Sequence, residues 1–358
     1  MRSSQRTSIT AAFVKAMSAI LVVILMSGLG VGVEAAVVKA PTSNSSGVRH
    51  HSLSGINVLP QSDGFANPEA IASDGTHVWV TNAGNNTVTE LLASTGAVIQ
   101  TLGATSYAFN NPSHLQIVGT HVWVTNENGK SVTVFNASSG ALIRVIKGPS
   151  FDFNWPYGIA SDGTHVWVTN VRSHAVTEMN AASGALIRVV KGGLYDFLSC
   201  GAILRVGTHL WVANVHGPSV TELNVSNGAL VRVIKGAKYG FASPVSLATN
   251  GVYIWVVNVD SSTVTELSAT TGALVKVLGA TVNGFAGPFG IVVANGHVLV
   301  ANGTNNTISE LNALNGSLIQ VLNSPSYAFS GPTSIASDGT SIWVTNMGSA
   351  TVTEFPVP

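Results

Sequence analysis

The side chains of this sequence that could bind a ligand are those that depart from an otherwise regular repeat. Trp155 and Tyr157 flank Pro156 at the start of the third repeat unit's first predicted strand. Arg172 and His174 follow the second predicted strand of the same unit. Aromatic, guanidinium and imidazole groups gathered at one place can hold a sugar, a peptide or an aromatic ligand. We therefore predict that ligand binding involves seven side chains, namely Trp155, Tyr157, Arg172, His174, His216, Glu69 and His114.

Histidine and glutamate side chains, which could bind a metal ion or transfer protons, recur at fixed positions of the repeat. This periodicity argues against a catalytic role for them. Face-to-face sheets pack about 10 Å apart, whereas two nitrogens on one metal ion lie within about 4 Å of each other. Equivalent histidines of successive units therefore cannot share an ion, and equivalent glutamates cannot work as an acid–base pair. We predict instead that the glutamates form edge salt bridges across a hairpin. The histidines are His77, His121, His165, His209 and His297, and the glutamates are Glu90, Glu178, Glu222, Glu266, Glu310 and Glu354.

The elements that must position these side chains follow from the repeat. The hexapeptide His77–Asn82 returns in variant form every 44 residues up to the C-terminus, without insertion. Each unit contains four short apolar runs separated by turn signals such as Asp-Gly, and in the third unit these runs are 157–161, 165–170, 175–180 and 185–191. Connections this short force antiparallel neighbours, so each unit is predicted to be a four-stranded meander. The third position of the hexapeptide is Trp79, Trp123, Trp167, Trp211, Trp255, Leu299 and Trp343 in turn.

Seven such units are typical of an all-β fold, the seven-bladed β-propeller of four-stranded antiparallel blades. The seventh unit stops after its third strand, while residues 56–59 match the fourth strand of the other units. We predict that this N-terminal strand completes the last blade, because pairing would remove two free sheet edges. The periodic Trp and Phe side chains are predicted to pack between blades.

The motif Val-Trp-Val-Thr-Asn at 78–82 and its copies resemble the repeats of YVTN-type β-propellers, and the plan is similar to NHL-type propellers. More distantly, the chain is similar to the streptogramin B lyases. The resemblance covers residues 55–358 and implies a platform for binding or interaction. The lyases use a magnesium ion and a catalytic histidine, with further His and Glu on inner strands. At the matching inner-strand position this chain has one histidine, His114.

The N-terminal region predicts export. Positively charged residues precede an apolar stretch at 16–33, and Ala35 and Ala36 offer a cleavage site, so residues 1–36 are predicted to be a signal peptide. An uncleaved membrane anchor is the alternative. Residues 37–54 are predicted to be a flexible linker, and the propeller follows over 55–358. We expect a secreted protein, extracellular or periplasmic, with no stable membrane insertion after cleavage.

Composition restricts the partners. Only 9% of residues are charged and the formal net charge is zero, which argues against nucleic acid as a partner. Cys200 is the only cysteine, so no intramolecular disulfide can form, and we expect a buried thiol without a catalytic role. We expect a monomer.

These observations leave three functional hypotheses. The first is a non-enzymatic propeller, without a cofactor, that binds a small molecule, a glycan or a protein on its loop face near the third and fourth units. The second is a metal-dependent lyase or hydrolase with a divalent ion in the central channel, for which His114 and Glu69 are the first candidate ligands. The third is a structural or adhesive surface protein.

Overall fold

The computed structural model describes residues 55–358, which form seven four-stranded antiparallel sheets. The predicted signal peptide and linker lie outside the described residues. Within residues 55–358, no helix is long and apolar enough to cross a membrane. The prediction of a seven-bladed β-propeller is confirmed.

Blades 1 to 3 contain consecutive strands that pair in sequence order. The chain starts with β1 (Asn57–Leu59), followed by blade 1 with β2 (Pro68–Ser73), β3 (His77–Asn82), β4 (Thr87–Leu92) and β5 (Val98–Leu102). Blade 2 has β6 (Pro112–Val118), β7 (His121–Asn126), β8 (Ser131–Asn136) and β9 (Leu142–Lys147). Blade 3 has β10 (Pro156–Ser161), β11 (His165–Asn170), β12 (Ala175–Asn180) and β13 (Leu186–Lys191).

Blades 4 to 6 repeat this arrangement, and blade 7 contributes three strands. Blade 4 has β14 (Cys200–Val206), β15 (His209–Asn214), β16 (Ser219–Asn224) and β17 (Leu230–Lys235). Blade 5 has β18 (Pro244–Thr249), β19 (Tyr253–Asn258), β20 (Thr263–Ser268) and β21 (Leu274–Leu278). Blade 6 has β22 (Pro288–Ala294), β23 (His297–Asn302), β24 (Thr307–Asn312) and β25 (Leu318–Leu322), and blade 7 has β26 (Pro332–Ser337), β27 (Ser341–Asn346) and β28 (Thr351–Pro356).

Single helical turns connect the blades. One is an α-helical turn, α1 (Ala280–Asn283), and the others are 3₁₀ turns at Gln61–Asp63, Thr105–Tyr107, Pro149–Phe151, Gly193–Tyr195, Ala237–Tyr239 and Pro325–Tyr327.

The ring closes as the sequence predicted. β1 pairs antiparallel with β28, with Val58 opposite Thr353, and so supplies the fourth strand of blade 7. The first strand of each blade contacts the first strands of both neighbouring blades, so that these seven strands surround the centre of the ring. The inner strands are β2, β6, β10, β14, β18, β22 and β26.

The Thr-Asn pair at the end of the second strand links strands within a blade and, in blades 1 to 3, joins neighbouring blades. In blade 1, Thr81 Oγ1 accepts a hydrogen bond from Ala70 N at 2.9 Å and donates to Ser113 O of the next inner strand at 3.0 Å. The buried Asn82 amide donates to Thr89 Oγ1 at 2.9 Å and so ties the second strand to the third. Thr125 and Thr169 repeat the inter-blade bond in blades 2 and 3, whereas blades 4 to 6 have Ala213, Val257 and Ala301 at this position. The asparagine bond recurs in all seven blades and satisfies a buried amide in each.

The periodic tryptophans pack between blades, as predicted. Trp79 of blade 1 is fully buried against Val122 and Phe135 of blade 2, with its ring centroid 5.0 Å from that of Phe135. Trp343 of blade 7 joins Val78 of blade 1 in one core cluster, which extends the same packing across the closure. The core is therefore a ring of seven inter-blade layers.

The periodic glutamates pair with side chains of the outer, edge strand as predicted, and their carboxylates are buried beneath it. Arg188 Nε lies 3.0 Å from Glu178 Oε2, and Arg232 Nε lies 2.7 Å from Glu222 Oε2. The side chains of Glu178 and Glu222 are 1% and 0% exposed, because each lies on the third strand, between two other strands of its blade. Burial raises the pKa of both carboxyls, and the neighbouring arginine opposes this shift. These pairs are structural.

Candidate functional site

Chemically different side chains from blades 1, 2 and 3 come together where the inner strands begin. Glu69 is the second residue of β2, His114 the third of β6 and Tyr157 the second of β10. The imidazole of His114 and the ring of Tyr157 lie in contact, with centroids 4.1 Å apart. The side chains of Glu69 and Glu127 are close enough for their charges to act on Tyr157. We call Glu69, His114, Glu127 and Tyr157 the inner cluster.

The common framework of the blades positions this cluster. Thr125, the equivalent of Thr81, accepts from His114 N at 3.0 Å and donates to Tyr157 O at 2.8 Å through the same hydroxyl. One threonine of the repeat motif thus fixes the backbone of both His114 and Tyr157. The side chains at these two positions can vary without loss of the inter-blade bonds.

Glu127 is the member of the cluster that the sequence-based prediction missed. It follows β7 directly, and its N–H donates to Asn111 O at 3.0 Å, beside the start of β6. Its Oε2 accepts from Asn111 Nδ2 at 2.7 Å. Glu127 is only 3% exposed, and among the described residues its Oε1 has no hydrogen-bond partner. A buried carboxylate oxygen without a partner is costly, which makes this position stand out.

The repeat contains the signal that would have found Glu127. The other six units have apolar or small residues at this position, so that a carboxylate occurs in blade 2 alone. Those residues are Ala83, Val171, Val215, Val259, Gly303 and Met347.

Burial shifts the pKa of each titratable side chain in the inner cluster in the direction that favours its neutral form. Desolvation raises the pKa of Glu127 to about 7, against opposing effects of the Asn111 hydrogen bond and the Arg172 charge. Desolvation and the charge of Glu127 raise the pKa of Glu69. Desolvation also lowers the pKa of His114 to about 4, so its imidazole is neutral at physiological pH. Glu69 and His114 keep part of their surface open to solvent although protein surrounds them densely.

Trp155 and Arg172 lie next to this cluster and contact each other. The Arg172 guanidinium carbon is 3.6 Å from the centroid of the Trp155 ring, a cation–π contact. Trp155 has a backbone φ of 56°, in the left-handed region where the equivalent residues are Asn, Ser or Gly. A bulky side chain there is conformationally unfavourable. The exposed Arg172 is the cation whose charge reaches Glu127.

His174 and His216 belong to a separate group around Ser199. His174 Nδ1 accepts from Ser199 N at 3.0 Å, and Ser199 Oγ lies 2.7 Å from His216 Nδ1. The first bond has counterparts in other blades, where Asn86 and Asn306 accept from the equivalent backbone N–H. His174 therefore takes the structural role of these asparagines and accepts the same hydrogen bond from the neighbouring blade.

The structure thus divides the seven predicted residues into two groups. Glu69, His114 and Tyr157 come together with Glu127, and Trp155 and Arg172 lie beside them. His174 and His216 lie together in the Ser199 group. The assignment of all seven to ligand binding stays a prediction.

The magnesium ion that the resemblance to the lyases implies would need several oxygen or nitrogen ligands from the protein. Residues 55–358 contain no group of three or more His, Cys, Asp or Glu side chains that could hold a metal ion. Glu69, His114 and Glu127 accordingly do not fit as a complete protein ligand set. The buried Cys200 has its pKa raised by desolvation to about 12, which disfavours the thiolate needed of a metal ligand or nucleophile.

Comparisons with known proteins identify the scaffold. No protein-family model matches the chain, and no curated protein does so significantly. Among solved structures, a streptogramin B lyase is 17% identical with a TM-score of 0.70, over 85% of this chain and 97% of that one. This chain shares the seven-bladed propeller fold of that enzyme.

Two further solved structures show the same likeness. A catalytically inactive virginiamycin B lyase from Staphylococcus aureus with quinupristin is 17% identical with a TM-score of 0.70, over 85% of this propeller chain and 99% of that one. Hydrazine synthase from Kuenenia stuttgartiensis is 16% identical with a TM-score of 0.66, over 82% and 96%. At these identities the likeness concerns the fold.

Proposed function

We propose that this protein is an exported binding module that takes a small ligand at the inner cluster, on the loop face of blades 1 to 3. The observation that carries the proposal is Glu127, a carboxyl 3% exposed with one oxygen unpartnered among the described residues. A ligand that donates to this oxygen would remove its desolvation penalty.

The surroundings of Glu127 support a ligand with both polar and ring-like or aliphatic parts. His114 Nδ1 is a second buried polar atom without a hydrogen-bond partner in the described part of the chain. The Tyr157 ring, in contact with His114, and the Trp155 ring beside Arg172 offer aromatic surface. A few polar groups among aromatic walls are typical of small-molecule sites.

A comparison within the repeat gives a variant that should remove binding while keeping the fold. Glu127→Val introduces the residue that blades 3, 4 and 5 have at this position. Asp260→Asn changes an exposed carboxyl of the same face in blade 5 and serves as the matched control. Thermal-shift screening of a diverse small-molecule library should find compounds that stabilise the wild type and Asp260→Asn but not Glu127→Val. If every stabilising compound acts equally on all three proteins, the proposed site is wrong.

A second candidate function is a lyase or hydrolase, which one observation favours. A carboxyl with a pKa of about 7 and a neutral imidazole that both neighbour Tyr157 are suited to general acid–base catalysis near neutral pH. Metal analysis of the purified protein tests the metal-dependent form of this hypothesis. A stoichiometric divalent ion that is lost in His114→Ala would make the enzyme the better proposal.

A further inference from the structure

We propose that the ligand of the inner cluster carries an organic ammonium group, which is bound between the carboxyls of Glu69 and Glu127 and the imidazole of His114. This inference rests on the proposed binding function and specifies the chemical class of the ligand.

The first argument is the charge balance of the cluster. Glu69 and Glu127 come from neighbouring blades, and the charge of Glu127 disfavours ionisation of Glu69. Both charges also act on the phenol of Tyr157, so the two carboxyls lie within electrostatic range of one ring. The cation that acts on Glu127 is Arg172, and it is exposed and held over the Trp155 ring. A cation placed directly between the carboxyls would stabilise the ionised form of both.

The second argument is the set of hydrogen-bond acceptors. An alkylammonium group has three N–H donors and no acceptor. Glu127 Oε1 is an unpartnered acceptor among residues 55–358, and so is His114 Nδ1 when the imidazole proton is on Nε2. We assign the third acceptor to Glu69 of blade 1, a carboxyl whose ionisation the charge of Glu127 opposes. The three groups together match the donors of a primary amine.

The third argument is the aromatic surface beside these acceptors. Aromatic rings attract ammonium groups through their quadrupole, and the Arg172 guanidinium already makes such a contact with Trp155. The Tyr157 ring next to His114 offers a second ring to the same ligand. A bare metal ion would require ligands closer together, at bond lengths of about 2.0 to 2.6 Å against roughly 2.8 Å for an ammonium hydrogen bond. No three His, Cys, Asp or Glu side chains among residues 55–358 lie close enough together to hold such an ion.

The experiment compares amines with their uncharged counterparts. Calorimetric titration is made with benzylamine, phenethylamine and putrescine, each matched with the corresponding alcohol, and with magnesium chloride. We expect at least one amine to bind the wild type at least about tenfold more tightly than its alcohol. Its affinity should rise between about pH 5 and pH 8, because binding requires carboxyls that are otherwise partly protonated.

Variants locate the binding. Glu69→Gln and Glu127→Gln keep side-chain size and should each weaken amine binding at least about tenfold, whereas Asp260→Asn should leave it unchanged. Circular dichroism and the melting temperature check that the variants are folded. Equal binding of amine and alcohol, unchanged affinity in both Gln variants, no binding by any amine, or displacement of the amine by magnesium would each overturn the proposal.

The outcomes separate this inference from the proposed function. If an uncharged compound binds and its binding is lost in Glu127→Val, the site is a ligand site and the ammonium assignment is wrong. If no compound of the library or the amine set depends on Glu127, the proposed function fails and the assignment fails with it.

Discussion

Replacing Glu127 with valine should stabilise the protein above neutral pH, because the folded state keeps this carboxyl away from water. The native pKa of about 7, against an ordinary value of 4.5, means that folding opposes ionisation. Below about pH 4.5 the side chain is protonated in both states and contributes no such penalty. Stability is lost as the pH rises from about 4.5 to 7, and the loss is complete above the native pKa, at about 3 kcal/mol.

The measurement is urea denaturation of the wild type and Glu127→Val at several pH values between about 4.5 and 8. The stability difference in favour of valine should increase by about 3 kcal/mol over this interval. Loss of the Asn111 hydrogen bond also changes the stability of the valine variant at the acid end of the range, so the test is the change in the difference with pH. Because Glu69 and Glu127 titrate together, the midpoint of the increase belongs to the pair. A difference that is the same at both ends of the range, or a valine variant less stable at pH 8, would refute the reasoning.

Three further predictions test the ring and its site. Deletion of residues 55–60 removes β1 and leaves β28 with a free edge, so the melting temperature should fall, and an unchanged value would contradict closure by this strand. Trp167→Ala should lower the free energy of unfolding by about 3 to 5 kcal/mol in urea denaturation, because the ring is 1% exposed between blades, and a loss under about 1 kcal/mol would contradict that role. The native pKa of His114 of about 4, lowered from 6.5, predicts a stability loss as the pH falls through this interval, reaching about 3 kcal/mol. His114→Ala should reduce this acid dependence in the same assay, and an identical pH profile would count against the assignment.

The sequence allowed close prediction of the fold because every blade repeats the same physical signals. In blade 3 the predicted strand 165–170 matches β11, and the predicted 157–161 and 185–191 differ from β10 and β13 by one residue at their starts. Apolar runs bounded by Asp-Gly and Gly define these strands. The side chain of Asp162 also accepts from Thr164 N at 2.8 Å and His165 N at 2.6 Å, which fixes the turn locally.

The site was predictable only in part, because it depends on contacts between blades. Deviation from the repeat pointed to Glu69, His114 and Tyr157, which the structure brings together. The same criterion selected His174, whose ring replaces the asparagine that makes an equivalent inter-blade bond elsewhere. It missed Glu127 because a charged residue after a strand resembles an ordinary loop residue. Burial, which distinguishes Glu127, arises from tertiary packing.

The relation between the repeat and the site explains how a ring of similar blades can carry one distinctive cluster. The threonine hydroxyl that joins adjacent inner strands bonds to backbone atoms, as Thr125 does with His114 N and Tyr157 O. The side chains at the joined positions do not take part in these bonds. Position 157 and its equivalents accordingly range from glycine to tyrosine and phenylalanine across the seven blades. Replacement of these side chains changes the chemistry at the centre of the ring while the threonine bonds that join blades 1, 2 and 3 to the next inner strand remain.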